Sequence, residues 1–262
     1  MLEYIAPEFD LTIGEYNVRK IKGFDVFSSR INPIDCAEIH LDVSGVPSGS
    51  ITKGQPVEIW QGYREKGIWK VFSGVVVDVS YKRTITVYCK DAMENLRATT
   101  ITKSFVNVRP QEIVRFTLAE AGIAEYALSQ RVLPHRHTFV VSGKSGIDVI
   151  KLVNRTWGLE DWCFYMEPEG EFFWGAWEES KRYLQGEMVT LEFGKNLLDL
   201  KPSNEETGEL TTVALPFVRH SEVVRIIDER FWAREVLARV ERIQYHHGEQ
   251  ARSYIQWRIL KS

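Results

Sequence analysis

Strict alternation of apolar and polar side chains recurs at both ends of this chain, and a period of two is the signature of strands buried on one face. Ala37, Ile39, Leu41 and Val43 fall on one side of the stretch from Cys36 to Val43, with Glu38, His40 and Asp42 on the other. Ile85, Val87 and Cys89 alternate with Thr84, Thr86 and Tyr88. Near the other end, Val189, Leu191 and Phe193 alternate with Thr190 and Glu192, and Ser253, Ile255, Trp257 and Ile259 repeat the pattern. Val57 and Ile59 begin a further strand, and Gly62 to Gly67 reads as a turn. Ile68 to Val79 reads as a long β run, with a bulge or bend expected at Gly74. Lys201 to Gly208 reads as a polar loop, and Thr211 to Leu215 and Val223 to Ile227 as strands. Arg234 to Ile243 is ambiguous, because Val236, Leu237, Val240 and Ile243 fit helical spacing. The turn-like His247-Gly248 favours strand from Ala238 onward.

Between these ends the period changes. Asp91 to Leu96 predicts a short helix, and Pro110 to Ala121 a longer one with Pro in its first turn, where the missing N–H costs nothing. Gly146 to Trp157 predicts a second long helix, capped by Ser145 with Asp148 three residues on. Each long helix ends in Gly followed by an aliphatic residue, Gly122-Ile123 and Gly158-Leu159, as a Schellman cap requires. Trp162 to Met166 and Phe172 to Ala176 flank a Pro168–Gly170 turn as a hairpin. The order is β, then α+β, then β. The fold class expected is mainly β: two small β-barrels, residues 1–96 and 185–262, flanking a two-helix and hairpin domain at 97–184.

Composition narrows the function. A formal net charge of −3 with no basic arm gives sequence-specific nucleic-acid binding little electrostatic support. The three cysteines lie far apart without a Cys-x-x-Cys, which argues against a disulfide framework or sulfur-ligated zinc. The N-terminus lacks the basic and apolar regions of a secretory signal, and no apolar run reaches membrane-spanning length, so membrane insertion is not expected. His135-x-His137 and His246-His247 are poor metal candidates, the first in a loop and the second with rings on opposite strand faces. Glu178-Glu179 and Glu205-Glu206 lie in polar stretches rather than across a cleft. No serine-nucleophile elbow, phosphate loop or zinc-protease motif occurs, and Cys163 is expected to be inert. The expectation is no enzyme, no cofactor and no metal. The dense aromatics of the middle hairpin read first as a core between it and the two helices; since both its faces carry them, some are expected to meet other subunits, and Tyr165, Phe173, Trp174 and Trp177 are the candidates.

Several phrases resemble the baseplate hub proteins of contractile phage tails, the late-control D-like family, which in turn resemble the N-terminal part of type VI secretion spikes. They are Lys53-Gly54-Gln55-Pro56-Val57-Glu58-Ile59, then Gly62-Tyr63, then Val71-Phe72-Ser73-Gly74-Val75-Val76, and then Cys89-Lys90-Asp91. Asn107 to Ile123, Phe139 to Trp157, Gly194 to Leu200, and Leu215-Pro216 with Val223 to Ile227 follow in the same order. The resemblance implies a homotrimer in which two similar barrels per chain build a pseudo-sixfold ring joining the tail tube to a threefold spike. It implies as partners the tail tube protein, tail spike, tape-measure protein and baseplate wedge proteins, with DNA passing through the channel without sequence-specific binding. It also implies a place in the virion baseplate after assembly in the bacterial cytoplasm. The chain stops soon after the second expected barrel, so any spike or lysozyme-like domain is expected on another chain. The alternatives from residue content are a carbohydrate-binding or adhesin-like β module, with aromatics as sugar platforms, and a cell-wall hydrolase.

Overall fold

The computed structural model describes residue 4 and residues 6–42, 49–184 and 188–260. Two compact units result: Met1–Asp91 with Arg182–Ser262, and Ala92–Lys181. In chain order the first unit begins with β1 (Pro7–Ile13), β2 (Tyr16–Asn17), β3 (Ile21–Ser29), β4 (Cys36–Leu41), β5 (Pro56–Tyr63), β6 (Gly67–Tyr81) and β7 (Ile85–Lys90). The second unit holds α1 (Met93–Ala98), β8 (Thr100–Val108), α2 (Pro110–Glu120), β9 (Tyr126–Leu128), β10 (Arg136–Ser145), α3 (Gly146–Trp157), β11 (Trp162–Met166) and β12 (Phe172–Ala176). The chain then returns to the first unit as β13 (Val189–Glu192), β14 (Leu197–Pro202), β15 (Thr207–Val213), β16 (Val223–Ile227), β17 (Val236–His247) and β18 (Arg252–Ile259). The protein is thus mainly β with a small helical insert, as the patterning predicts.

The first unit is one thirteen-stranded sheet ordered β14-β15-β18-β17-β3-β4-β7-β6-β5-β1-β2, with β16 on β17 and β13 on β16. Its core is the set of inward residues that the alternation marks, among them Ile39, Leu41, Val57, Ile59, Val87, Ile255 and Trp257. Val43 and Glu187, placed in or at strands by the patterning, lie outside the described residues.

The details correct several expectations. Gly62 belongs to β5, and the turn is confined to residues 64–66. Gly74 carries no bulge. The register shifts put the extra residues of β6 at Val71 and Val77 instead. Gly74 is small because a Cβ there would lie 2.2 Å from the Lys90 carbonyl oxygen. Half of the expected 201–208 loop is strand, with β14 and β15 joined through residues 203–206. The helix-like spacing in 236–243 has a physical source. A bulge between Val240 and Arg242 advances the side-chain phase by one, so Val240 and Ile243 both face inward from a strand.

In the second unit the two long helices start and stop where their caps predict, whereas the short one lies two residues later than expected, as Met93–Ala98 with Ala92 rather than Asp91 before it. Ser145 Oγ accepts the Asp148 N–H at 3.2 Å, and Gly158 closes α3 at φ +66°. Hairpin β11–β12 has the expected bounds, and β9 adds a parallel strand to β12. The antiparallel pair β8–β10 was not expected. Its exposed valines, Val106 and Val140, do not stand out as a buried face.

Candidate assembly surface

The two halves of the first unit are copies of one design. Reading outward from the first strand of each half, the neighbours are β1-β5-β6-β7-β4-β3 and β13-β16-β17-β18-β15, with β14 closing the second series. Matching β3 with β14, β4 with β15, β5 with β16, β6 with β17 and β7 with β18 aligns the ladders residue by residue. Val76 opposes Cys89 as Val240 opposes Trp257, and one bulged residue follows in each case, Val77 and Glu241. Lys22 and Leu198 are bulged at matching places in β3 and β14.

The loops that enter β5 and β16 agree down to single hydrogen bonds. Gly54 and Ser221 both adopt positive φ, and each donates its N–H to the matching valine carbonyl, of Val76 and Val240. Gln55 Oε1 accepts from the Thr52 N–H at 2.9 Å, and Glu222 Oε2 accepts from the Arg219 N–H at 3.0 Å. The Tyr81 hydroxyl donates to the Ile51 carbonyl at 2.9 Å, and the Tyr245 hydroxyl to the Val218 carbonyl at 2.6 Å. The first strand is the exception, since β1 runs antiparallel to β5 whereas β13 runs parallel to β16.

The halves are joined by strand pairing. The C-terminal part of β17, beyond its contact with β16, pairs with β3 from Arg242–Ser29 to His247–Phe24. Asp25 accepts from Gln244 Nε2 at 2.7 Å across this junction, and its carboxylate meets His246 Nδ1 at 2.8 Å. Buried Gln61 donates to the His246 carbonyl at 3.0 Å. The outer face of this region is a concave groove of about 610 Å³, lined by Phe27, Asp199, Lys201, Glu209, Arg242 and Tyr254 among others. Its charges are mixed in sign.

A buried polar cluster supports the second half. Arg182 donates to His220 Nε2, so the remaining proton sits on Nδ1, 3.0 Å from Ser221 Oγ. Burial, then the Arg182, Arg30 and Arg219 guanidinium groups, hold the His220 imidazole neutral, well below its ordinary range. Its neighbours Arg219 and Ser221 do not by themselves mark His220, because Arg30 and Arg182 reach it from two distant segments.

The aromatic candidates fall in the second unit. Trp174 is fully buried and donates Nε1–H to Asn154 Oδ1 at 2.8 Å. Tyr165 and Phe173 are buried against each other on the other face of the hairpin, with ring centroids 5.3 Å apart. Trp177 is half-buried in a short 3-10 turn. His135 accepts from Arg109 Nε at 2.8 Å, and His137 lies in β10. No group of three or more His, Cys, Asp or Glu poised for a metal occurs among the described residues, and no helix among them is long and apolar enough to cross a membrane.

The same fold occurs in phage tail proteins. The 43 kDa tail protein of prophage MuSo2 from Shewanella oneidensis is similar over 98% of both chains, with TM-score 0.76 and 14% identity. A tail protein from Neisseria meningitidis MC58 is similar over 97% of this chain and 96% of its own, with TM-score 0.75 and 10% identity. The E. coli c3393 protein is a type VI secretion component described as similar to the T4 tail proteins gp27 and gp5. It matches 96% of this chain and 77% of its own, with TM-score 0.68 and 11% identity. No protein-family description matches the sequence, and no curated protein does.

Proposed function

We propose that the protein is the baseplate hub of a phage or phage-like contractile tail. It acts as a homotrimer that joins a sixfold tail tube to a threefold spike. The observation that carries this reading is the internal repeat. A chain with two equivalent strand sets supplies two positions, and three such chains supply six around a closed ring. On this reading residues 1–96 and 185–262 are two barrels and 97–184 is an α+β insert. The shared fold with phage tail proteins supports the same role.

The concave face of the sheet is the lining of the channel. Acidic Asp25, Glu38 and Glu209 share it with basic Lys90, Arg242 and Arg258, so it offers no uniform field to hold phosphates. DNA and a tape-measure protein can then slide past without being gripped. The tube, spike and wedge proteins are the partners at the rims, and the site of action is the virion baseplate after assembly in the bacterial cytoplasm. The role is structural, not enzymatic.

Of the four aromatic candidates, Trp177 retains surface for a neighbouring protein. W177A should weaken assembly with the unit still folded, whereas W174A should unfold the second unit. Molar mass by light scattering, with electron microscopy of the same sample, tests the main reading. A trimer showing six lobes around a hole is expected; a monomer at all concentrations would overturn it.

A further inference from the structure

We infer that three copies associate by β-strand addition, residues 77–81 of β6 and the adjoining Lys82 in one subunit pairing with β14 and the adjoining Ser203 of the next, in the register that β17 and β3 use within the chain. This rests on the hub reading and names the surface that would build it. The template is already present. β17 uses one edge for β16 and then, past its bulge, for β3. β6 is the counterpart of β17, and β5 takes the same edge only as far as Val75. β14 is the counterpart of β3, and it ends the sheet. Both partners of a second junction therefore exist, but in opposite halves of one sheet, where a single chain does not join them. A head-to-tail contact between copies satisfies both, and a rotation that repeats it closes into a ring.

Side-chain burial points to the same missing neighbour. Tyr245 lies in the junction and is 2% exposed; its counterpart Tyr81 makes the equivalent hydrogen bond yet is 43% exposed. The Leu200 N–H, which matches the Phe24 N–H of the junction, is turned onto its own neighbour, Asp199 Oδ1, at 3.0 Å.

The equivalence sets the register. Gln244 opposes Phe27 and His246 opposes Asp25, so Ser80 meets Ser203 and Lys82 meets Lys201 across the new junction. Arg30 donates its N–H to the Glu241 carbonyl, which makes Val26 a donor toward β17 two positions further along the alternation. The matching residue, Pro202, has no N–H to give. One hydrogen bond fewer and a Lys–Lys pair make this junction weaker than its intrachain template. They also guard an exposed edge before assembly, as edge prolines and lysines do.

Cysteine pairing tests the register. Ser80→Cys with Ser203→Cys, in full-length protein carrying Cys36→Ser, is oxidised at concentrations where light scattering reports trimer. The remaining native cysteines, Cys89 and Cys163, are buried. The expected result is a covalent trimer as the main band on a non-reducing gel. Either single variant, and the control pair Ser73→Cys with Ser203→Cys, should give none. A trimer that stays unlinked, links equally in the control, or links only within one chain overturns the junction and leaves the hub reading standing. Monomer throughout overturns both.

Discussion

Tyr81 and Tyr245 hold the same place in the two halves of the sheet and donate to matching carbonyls, but one is largely exposed and the other sealed. The difference lies in what stands beside them. β3 covers Tyr245 because the two halves of the sheet pair at that edge. A second contrast lies inside the cores. The cross-strand pair Ala37–Cys89 corresponds to Gly208–Trp257, and Phe72 beside Gly74 corresponds to Val236 beside Ala238. A Cβ on Gly208 would come within 2.7 Å of the Trp257 ring, so the larger indole requires the smaller partner. Close-packed interiors conserve summed volume rather than residue identity. The two halves can therefore share a ladder while sharing little sequence.

The largest test of this comparison is a glycine exchange. G74A should destabilise the first unit by about 3 kcal/mol, because its Cβ meets the Lys90 carbonyl, a backbone group that cannot rotate away. A238G at the matching position should cost only about 1 kcal/mol, the ordinary penalty of a glycine in regular structure. Urea unfolding of both variants measures this; equal losses would mean that the two cores are not compensated as described.

Next come the tyrosines. Burial pushes the Tyr245 hydroxyl well above its usual range, and Y245F leaves the Val218 carbonyl buried without that donor, at a cost of about 2 kcal/mol. Y81F should cost about 0.5 kcal/mol in the monomer, where water can replace the hydroxyl. If assembly buries Tyr81, its effect should grow in the trimer.

His220 gives a pH signature to the second half. Its folded-state affinity for protons is depressed, so the unfolded chain binds a proton first as pH falls below about 6.5. Stability from this group is complete above that value and declines as the pH moves down toward the folded-state value. Thermal melts between pH 7 and 5 should show the decline, and H220Q should flatten it.

The smallest effect concerns the edge. K201E replaces the proposed Lys82–Lys201 cross-strand pair with opposite charges and should tighten trimers by about 0.5 kcal/mol at low salt. Sedimentation equilibrium at two ionic strengths reads the change, and a weaker trimer would speak against this register.

Much of the secondary structure was legible. Period-two runs placed β4, β7 and β18, and Ser145, Pro110 and Gly158 marked helix ends through local backbone chemistry. In β1, Phe9, Leu11 and Ile13 alternate with Asp10 and Thr12 and fall in the stretch that reads broadly as strand; a bulge at Lys22 breaks the phase of β3, and the exposed Val106 and Val140 blur the pair β8–β10. β17 was ambiguous because its bulge breaks the phase that pattern reading depends on. Of the aromatic candidates, the structure places Trp174, Tyr165 and Phe173 in the interior, which agrees with the reading of the cluster as a core; the strand β9 beside the hairpin was not read from the sequence.

The amino-acid order by itself determined the succession of β, α+β and β segments, the helix boundaries and the inward face of each clean strand, since all of these follow from neighbours within a few positions. Only the tertiary structure decided that the first and last segments join in one sheet, that their ladders repeat, and that Arg30 and Arg182 come to His220 from afar. Pairing between strands is set by which edges meet in space, and residues more than 150 positions apart, such as Tyr63 and Ala214 in their hydrogen bond, leave no periodic trace in sequence.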